Sequence, residues 1–213
     1  GGIYSNKNGI INIYNTNIMN NRAIKGGGIH LEQNTIMNVY NSSISKNEAT
    51  SNGGGIYSEQ NTTITVYNSS ISKNKATSNG GGIYSVQNTI VNVYTTSIIK
   101  NEAKSKGGGI YIHDSHLRMD SCNVSENKAL DASGGGIRIM EAASMLYNTT
   151  ISNNTAKTVG GGIFVFGDVE INKSSTLNVT ECVIQKNHAK GTGAGGIYIS
   201  SYSKVTIRQA VFN

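Results

Sequence analysis

The apolar positions of the chain fall into three short stretches that return together every 26 or 27 residues. The first is Gly-Gly-Ile, with its Ile at 3, 29, 56, 83, 110, 137, 163 and 197, in steps of 26, 27, 27, 27, 27, 26 and 34 residues. The second holds two apolar columns spaced by two residues. One column is Ile11, Met37, Ile64, Val91, Leu117, Ser144, Leu177 and Val205; the other is Ile13, Val39, Val66, Val93, Met119, Leu146, Val179 and Ile207. The third reads aliphatic-x-x-Asn-x-Ala, from Ile18-Asn21-Ala23 through Ile184-Asn187-Ala189, in seven copies. A spacing of two is the period of a strand. Each repeat therefore predicts three short strands joined by polar turns.

Repeats of this length narrow the architecture. Leucine-rich repeats need a recurring Leu framework that is absent here, and a propeller blade needs about 40 residues or more. The pattern predicts an all-β parallel β-helix, a single solenoid over residues 1–213 with about eight coils. Coils stacked at the strand spacing of about 4.8 Å would form a rod roughly 35–40 Å long.

Composition gains meaning once the coils are stacked. The chain has 26 Gly, 28 Asn and no Pro, and only 14% of its residues are charged. The Gly triplets mark sharp turns into the next strand, where φ > 0 costs Gly little. Equivalent residues form ladders. Asn21, Asn47, Asn74, Asn101, Asn127, Asn154 and Asn187 are expected to bond amide to amide and to turn backbone. The residue after each alternates in sign over Arg22, Glu48, Lys75, Glu102 and Lys128, which predicts paired charges between coils.

Tyrosine fills two columns. Tyr4, Tyr57, Tyr84, Tyr111 and Tyr198 follow Gly-Gly-Ile, while Tyr14, Tyr40, Tyr67, Tyr94 and Tyr147 end the central strand. Alternation points both columns outward or to corners. They either stiffen the rod by stacking or offer an aromatic strip to a glycan or a partner protein.

Candidate chemistry is sparse, with four Asp and eight Glu. The most irregular repeat supplies Asp114, Arg118 and Asp120, and Arg138 replaces a Tyr one coil later. An enzyme acting on polysaccharide would need these four to converge on one groove. No metal or other cofactor is expected. Cys122 and Cys182 occupy one column two coils apart, about 9.6 Å, beyond the roughly 7 Å a disulfide tolerates. Both are expected as free thiols. Seven extra residues within 166–175 predict one excursion from the coil, carrying Asp168 and Glu170. The net charge of +6 comes without a basic run, which argues against nucleic acid. No apolar run is long enough to span a membrane.

The pairing of Gly-Gly-Ile with aliphatic-x-x-Asn resembles the repeats of chlamydial polymorphic outer membrane proteins and related extracellular repeat proteins. The resemblance runs from Gly1 to Asn213. That family's second motif is Phe-x-x-Asn; here the complete copies carry Ile or Val, and only Phe212 in the last repeat keeps the aromatic. The resemblance implies a right-handed β-helix, secreted or surface-displayed, that acts as an adhesin or passenger and carries no catalytic residues. The expectation is a non-catalytic adhesive or structural segment, extracellular or on the cell surface. A polysaccharide lyase or hydrolase is the alternative. Gly1 opens at a repeat boundary and Asn213 falls inside an unfinished copy. This predicts a segment of a longer repeat protein, or coils stacking end to end between copies. Host cell-surface proteins or glycans are the other expected partners.

Overall fold

A computed structural model describes residues 1–213. The chain winds into a parallel β-solenoid of eight coils, without any helix. One coil shows the plan: Ile56–Ser58 in sheet A, Thr63–Tyr67 in sheet B, Ser70–Ser72 in sheet C and Lys75–Ala76 in sheet D. Sheets A, B and C each have eight strands and sheet D has seven. Three strands per coil were expected, and the fourth is a correction. Sheet D strands are two residues long, too short to show alternation, and begin at the residue after the ladder Asn.

Register is one to one. Ile64 faces Met37 in the coil before and Val91 in the coil after, and Val66 faces Val39 and Val93 in the same way. The interior is thus a set of identical apolar columns. Ile29, Ile56, Ile83, Ile110, Ile137 and Ile163 from sheet A meet the two sheet B columns and Ile44, Ile71, Ile98, Val124 and Ile151 from sheet C, fully or almost fully buried except in the end coils, where Ile11 and Val205 are half-buried and Ile207, expected inside, is exposed. Ser144 also points inward. A short seam of buried hydroxyls, Ser58 to Ser85 to Thr89 to Ser115, runs between sheets A and B.

The corners explain the composition. Residues in the left-handed region follow nearly every strand of sheets B and C, for example Asn41, Asn68 and Asn148 after sheet B and Lys46, Lys73 and Lys100 after sheet C. Asn is among the few residues that enter this region readily, so much of the Asn excess lies in turns. Within the Gly triplets only the first residue needs φ > 0, as at Gly53 with φ 69°. The second serves close approach instead. A Cβ on Gly54 would lie 2.4 Å from the Gly81 carbonyl oxygen and 2.5 Å from that of Lys75.

The Asn ladder closes the corner between sheets C and D. Asn47, Asn74, Asn101, Asn127 and Asn154 are buried. Each Nδ2 donates to Oδ1 of the next coil's Asn at 2.9–3.0 Å, and each also donates to an aliphatic carbonyl of the coil before. Beside it, Arg22 reaches Glu48 at 3.6 Å and Lys75 reaches Glu102 at 3.8 Å. These exposed pairs contribute little stability each, up to about 1 kcal/mol.

Cys122 and Cys182 are buried and free. Thr149 holds the position between them in the column, and its hydroxyl accepts a hydrogen bond from the Cys122 backbone N–H at 3.3 Å. The extra residues of the seventh repeat form a small antiparallel excursion closed by Asp168 and Lys173. Lys173 pins it to the rod through Asp114 at 2.9 Å and Glu141 at 3.7 Å. Asp168 and Glu170 stay local, with Asp168 Oδ1 accepting from the Glu170 backbone N–H.

Candidate functional site

The two Tyr columns have different fates. In sheet A the column runs Tyr4, His30, Tyr57, Tyr84, Tyr111, Arg138, Phe164 and Tyr198. Tyr57 stacks on Tyr84 and Tyr84 on Tyr111, both with centroids 5.1 Å apart, and Phe164 stacks on Tyr198 at 5.5 Å. The side chains leave the coil interior, as alternation requires, yet Tyr57, Tyr111, Arg138 and Phe164 are buried. The loops returning from sheet D fold over them. The Cβ of Tyr57 sits 2.8 Å from where a Gly53 Cβ would be, and Lys25 Nζ lies 4.7 Å from the Tyr57 ring centroid. The column leaves the coil as expected, but Tyr57 and Tyr111 are covered and cannot form part of an open aromatic strip. Burial pushes Tyr84 up to about 12 and raises Tyr57 and Tyr111 as well.

The sheet B column is open. Tyr14 and Tyr67 are 58% and 47% exposed, with Tyr40 and Tyr94 half-buried between neighbours. Tyr14 stacks on Tyr40 at 5.2 Å, and Tyr67 follows at 6.4 Å in a tilted arrangement. Two further outward rails run parallel to this one. Ile10, Ile36, Thr63 and Ile90 form the first, and Asn12, Asn38, Thr65 and Asn92 the second. Asn38 donates to Asn12 at 2.9 Å across the coils. The first four coils thus present a pleated face of aliphatic, amide and aromatic rows without a single charge. Ile10, Ile36 and Ile90 are exposed on it, an unusual concentration of apolar side chains in water.

Farther along, the same face gains charge, including Asp120 in place of a Tyr. His116 and Arg118 replace Ile and Asn, and Lys204 and Arg208 follow in the last coil. The small side chain of Ala143 opens a shallow groove of about 240 Å³ between Ile90, His116, Arg118, Met145 and Asn178.

The four residues singled out for enzymatic chemistry do not meet in this groove. Arg118 lines it, and Asp120 ends the same strand, where Ser121 donates to its carboxylate. Asp114 lies at the preceding corner, held by Lys173. Arg138 belongs to sheet A, hydrogen-bonded to Ser133 and 4.3 Å over the Phe164 ring. Burial lowers its pKa, and its charge is spent in the aromatic column.

A different cluster was not anticipated. His30, Glu32 and Glu59 bring one ligand-type atom each to within 4.8 Å of one another. His30 Nε2 is 2.8 Å from Glu32, Tyr57 donates to Glu59 at 2.6 Å, Tyr4 donates to Glu32 at 3.0 Å, and Lys25 lies 3.3 Å from Glu59. Burial lowers the His30 pKa, against the neighbouring Glu32 carboxylate. For Glu59, burial acts to raise the pKa but the hydrogen bond from Tyr57 and the charge of Lys25 outweigh it and hold it low. Two signals for this cluster exist in the sequence. His30 breaks the Tyr column, and Glu32 and Glu59 stand at the same repeat position, three after the Ile of Gly-Gly-Ile.

Residues 1–172 match a family model described as a right-handed β-helix region. No curated protein and no solved structure matches the chain.

Proposed function

The chain belongs to the right-handed β-helix family, and from that premise we propose that it is a non-catalytic adhesive scaffold working outside the cell. In this reading the face of sheet B in the first four coils holds uncharged glycan chains. The observation that carries it is the uncovered, charge-free set of three rails ending in Tyr14, Tyr40, Tyr67 and Tyr94. Aromatic rings supply flat apolar area with a polar tip, which suits the faces and hydroxyls of a sugar ring. The Asn and Thr rail beside them supplies donors and acceptors at the same repeat. The resemblance of the repeats to those of chlamydial polymorphic outer membrane proteins supports surface display.

The test is retention of the chain on immobilised neutral and acidic polysaccharides. The reading expects retention on a neutral glycan, lost in the double variant Tyr40→Ala/Tyr67→Ala and kept in His188→Ala on sheet D. Equal retention of both variants, or none by the wild type, would remove it. Binding that follows only acidic glycans would move the site to the coils around Arg118 and Arg208.

A further inference from the structure

We propose that His30, Glu32 and Glu59 form a binding site for one divalent first-row transition-metal ion, clamped between the second and third coils.

The placement follows from register. His30 pairs with Tyr57 and Leu31 with Ser58, so Glu32 stands directly beside Glu59 one coil on. Two like charges opposite each other on adjacent parallel strands repel unless they share a cation. Lys25 supplies only part of that charge, contacting Glu59 Oε1 from a half-exposed position. The second observation is the imidazole. His30 Nε2 is wholly buried and has no hydrogen-bond partner. Glu32 Oε1 lies 2.8 Å away, but off the line of the ring's N–H, so a proton on Nε2 makes no proper hydrogen bond there. A buried nitrogen in this position is costly unless something else coordinates it.

The outer oxygens are already committed in a way that aims the inner ones. Tyr4 donates to Glu32 Oε2 and Tyr57 to Glu59 Oε2, which leaves Glu32 Oε1 beside His30 Nε2 and Glu59 Oε1 with Lys25 as its one competing contact. Such outer-shell donors orient carboxylate ligands in metal sites. The imidazole is packed edge-on between the rings of Tyr4 and Tyr57, with centroids 5.1 and 4.8 Å away. Ligands at about 2.0–2.2 Å around a tetrahedral ion lie roughly 3.4 Å apart. The present separations, from 2.8 Å up to 4.8 Å, bracket that value, so small side-chain rotations suffice. One imidazole with two carboxylates suits Zn²⁺ and its neighbours rather than Ca²⁺, which takes six to eight oxygens.

The test uses the full chain without an affinity tag, stripped with chelator and titrated with Zn²⁺ by calorimetry. Three variants accompany it. His30→Tyr installs the residue that fills this column in most coils, and Glu59→Gln keeps the shape of the carboxylate. Lys25→Met removes the competing cation. The site predicts one ion per chain, and affinity weakened at least about tenfold in His30→Tyr and Glu59→Gln. Lys25→Met should bind several-fold more tightly. Zn²⁺ should also raise the urea midpoint of the wild type but not of Glu59→Gln. Circular dichroism confirms that each variant is folded. Absence of saturable binding would overturn the proposal. So would equal binding by His30→Tyr and Glu59→Gln, because the ion would then sit at His113, His116 or His188.

Discussion

Asn74 and Asn101 are joined twice: Nδ2 of Asn74 and its backbone N–H both donate to Oδ1 of Asn101, each at 3.0 Å. The same oxygen therefore satisfies a side chain and a turn, and Nδ2 of Asn101 returns the favour to the Ile71 carbonyl at 2.9 Å. Repeated up the stack, this unit fixes the corner that every coil must turn.

Truncating that unit exposes its weight. Asn101→Ala leaves two buried donors of Asn74 and the Ile71 carbonyl without their partner, at about 1–3 kcal/mol per group. The expected loss by urea denaturation is about 3 kcal/mol or more. Asn21→Ala, at the partly exposed start of the ladder, should lose markedly less. Equal losses would mean that the ladder does not act through burial.

The Gly triplets make a second, steric prediction. Gly54→Ala drives a methyl into two backbone carbonyls and should cost more than about 2 kcal/mol, in the range of overpacking. Gly196→Ala meets nothing closer than 3.5 Å and should change stability by less than about 0.5 kcal/mol. Thermal or urea midpoints of the two variants decide this.

The covered aromatic column predicts alkaline sensitivity. Burial raises Tyr84 to about 12 from the usual value of about 10. A raised folded-state pKa favours the protonated form, so its contribution is complete below about pH 10. It is lost as pH rises from there through about 12. Tyrosinate absorbance should show a late-titrating fraction, and the urea midpoint should fall across the same window. In Tyr84→Phe, that share of the fall should disappear.

The thiols should be silent. Burial raises both Cys122 and Cys182, and each sulfur is turned toward backbone carbonyls. A thiol reagent should label neither in the native protein and both in denaturant. Cys122→Ser should be nearly neutral, because Ser42, Ser69 and Thr96 fill the same column and donate back to Tyr40, Tyr67 and Tyr94.

Much of this fold was legible because a solenoid writes its contacts into a period. Positions 27 apart, such as Ile71 and Ile98, are neighbours in space, so the apolar columns and the Asn ladder could be read directly. Sheet D was not legible, since a two-residue strand such as Lys75–Ala76 has no alternation to show. Alternation also says which way Tyr57 leaves the coil but not that a loop then covers it. The His30 cluster was hidden for a related reason. His30 is an exception to the Tyr column, Glu32 and Glu59 share a different repeat position, and alternation alone does not show that the two positions meet.

The most direct measurement of the central claim is the affinity of the chain for neutral oligosaccharides of increasing length. Four coils repeat the same three rails, so each added sugar can reach a further ring. Affinity should rise with length until the open column is spanned, and Tyr67→Ala, which interrupts that column, should flatten the rise. Tyr84→Phe, in the covered column of sheet A, should leave it unchanged. Affinity independent of length, or equally weakened by both variants, would contradict the account.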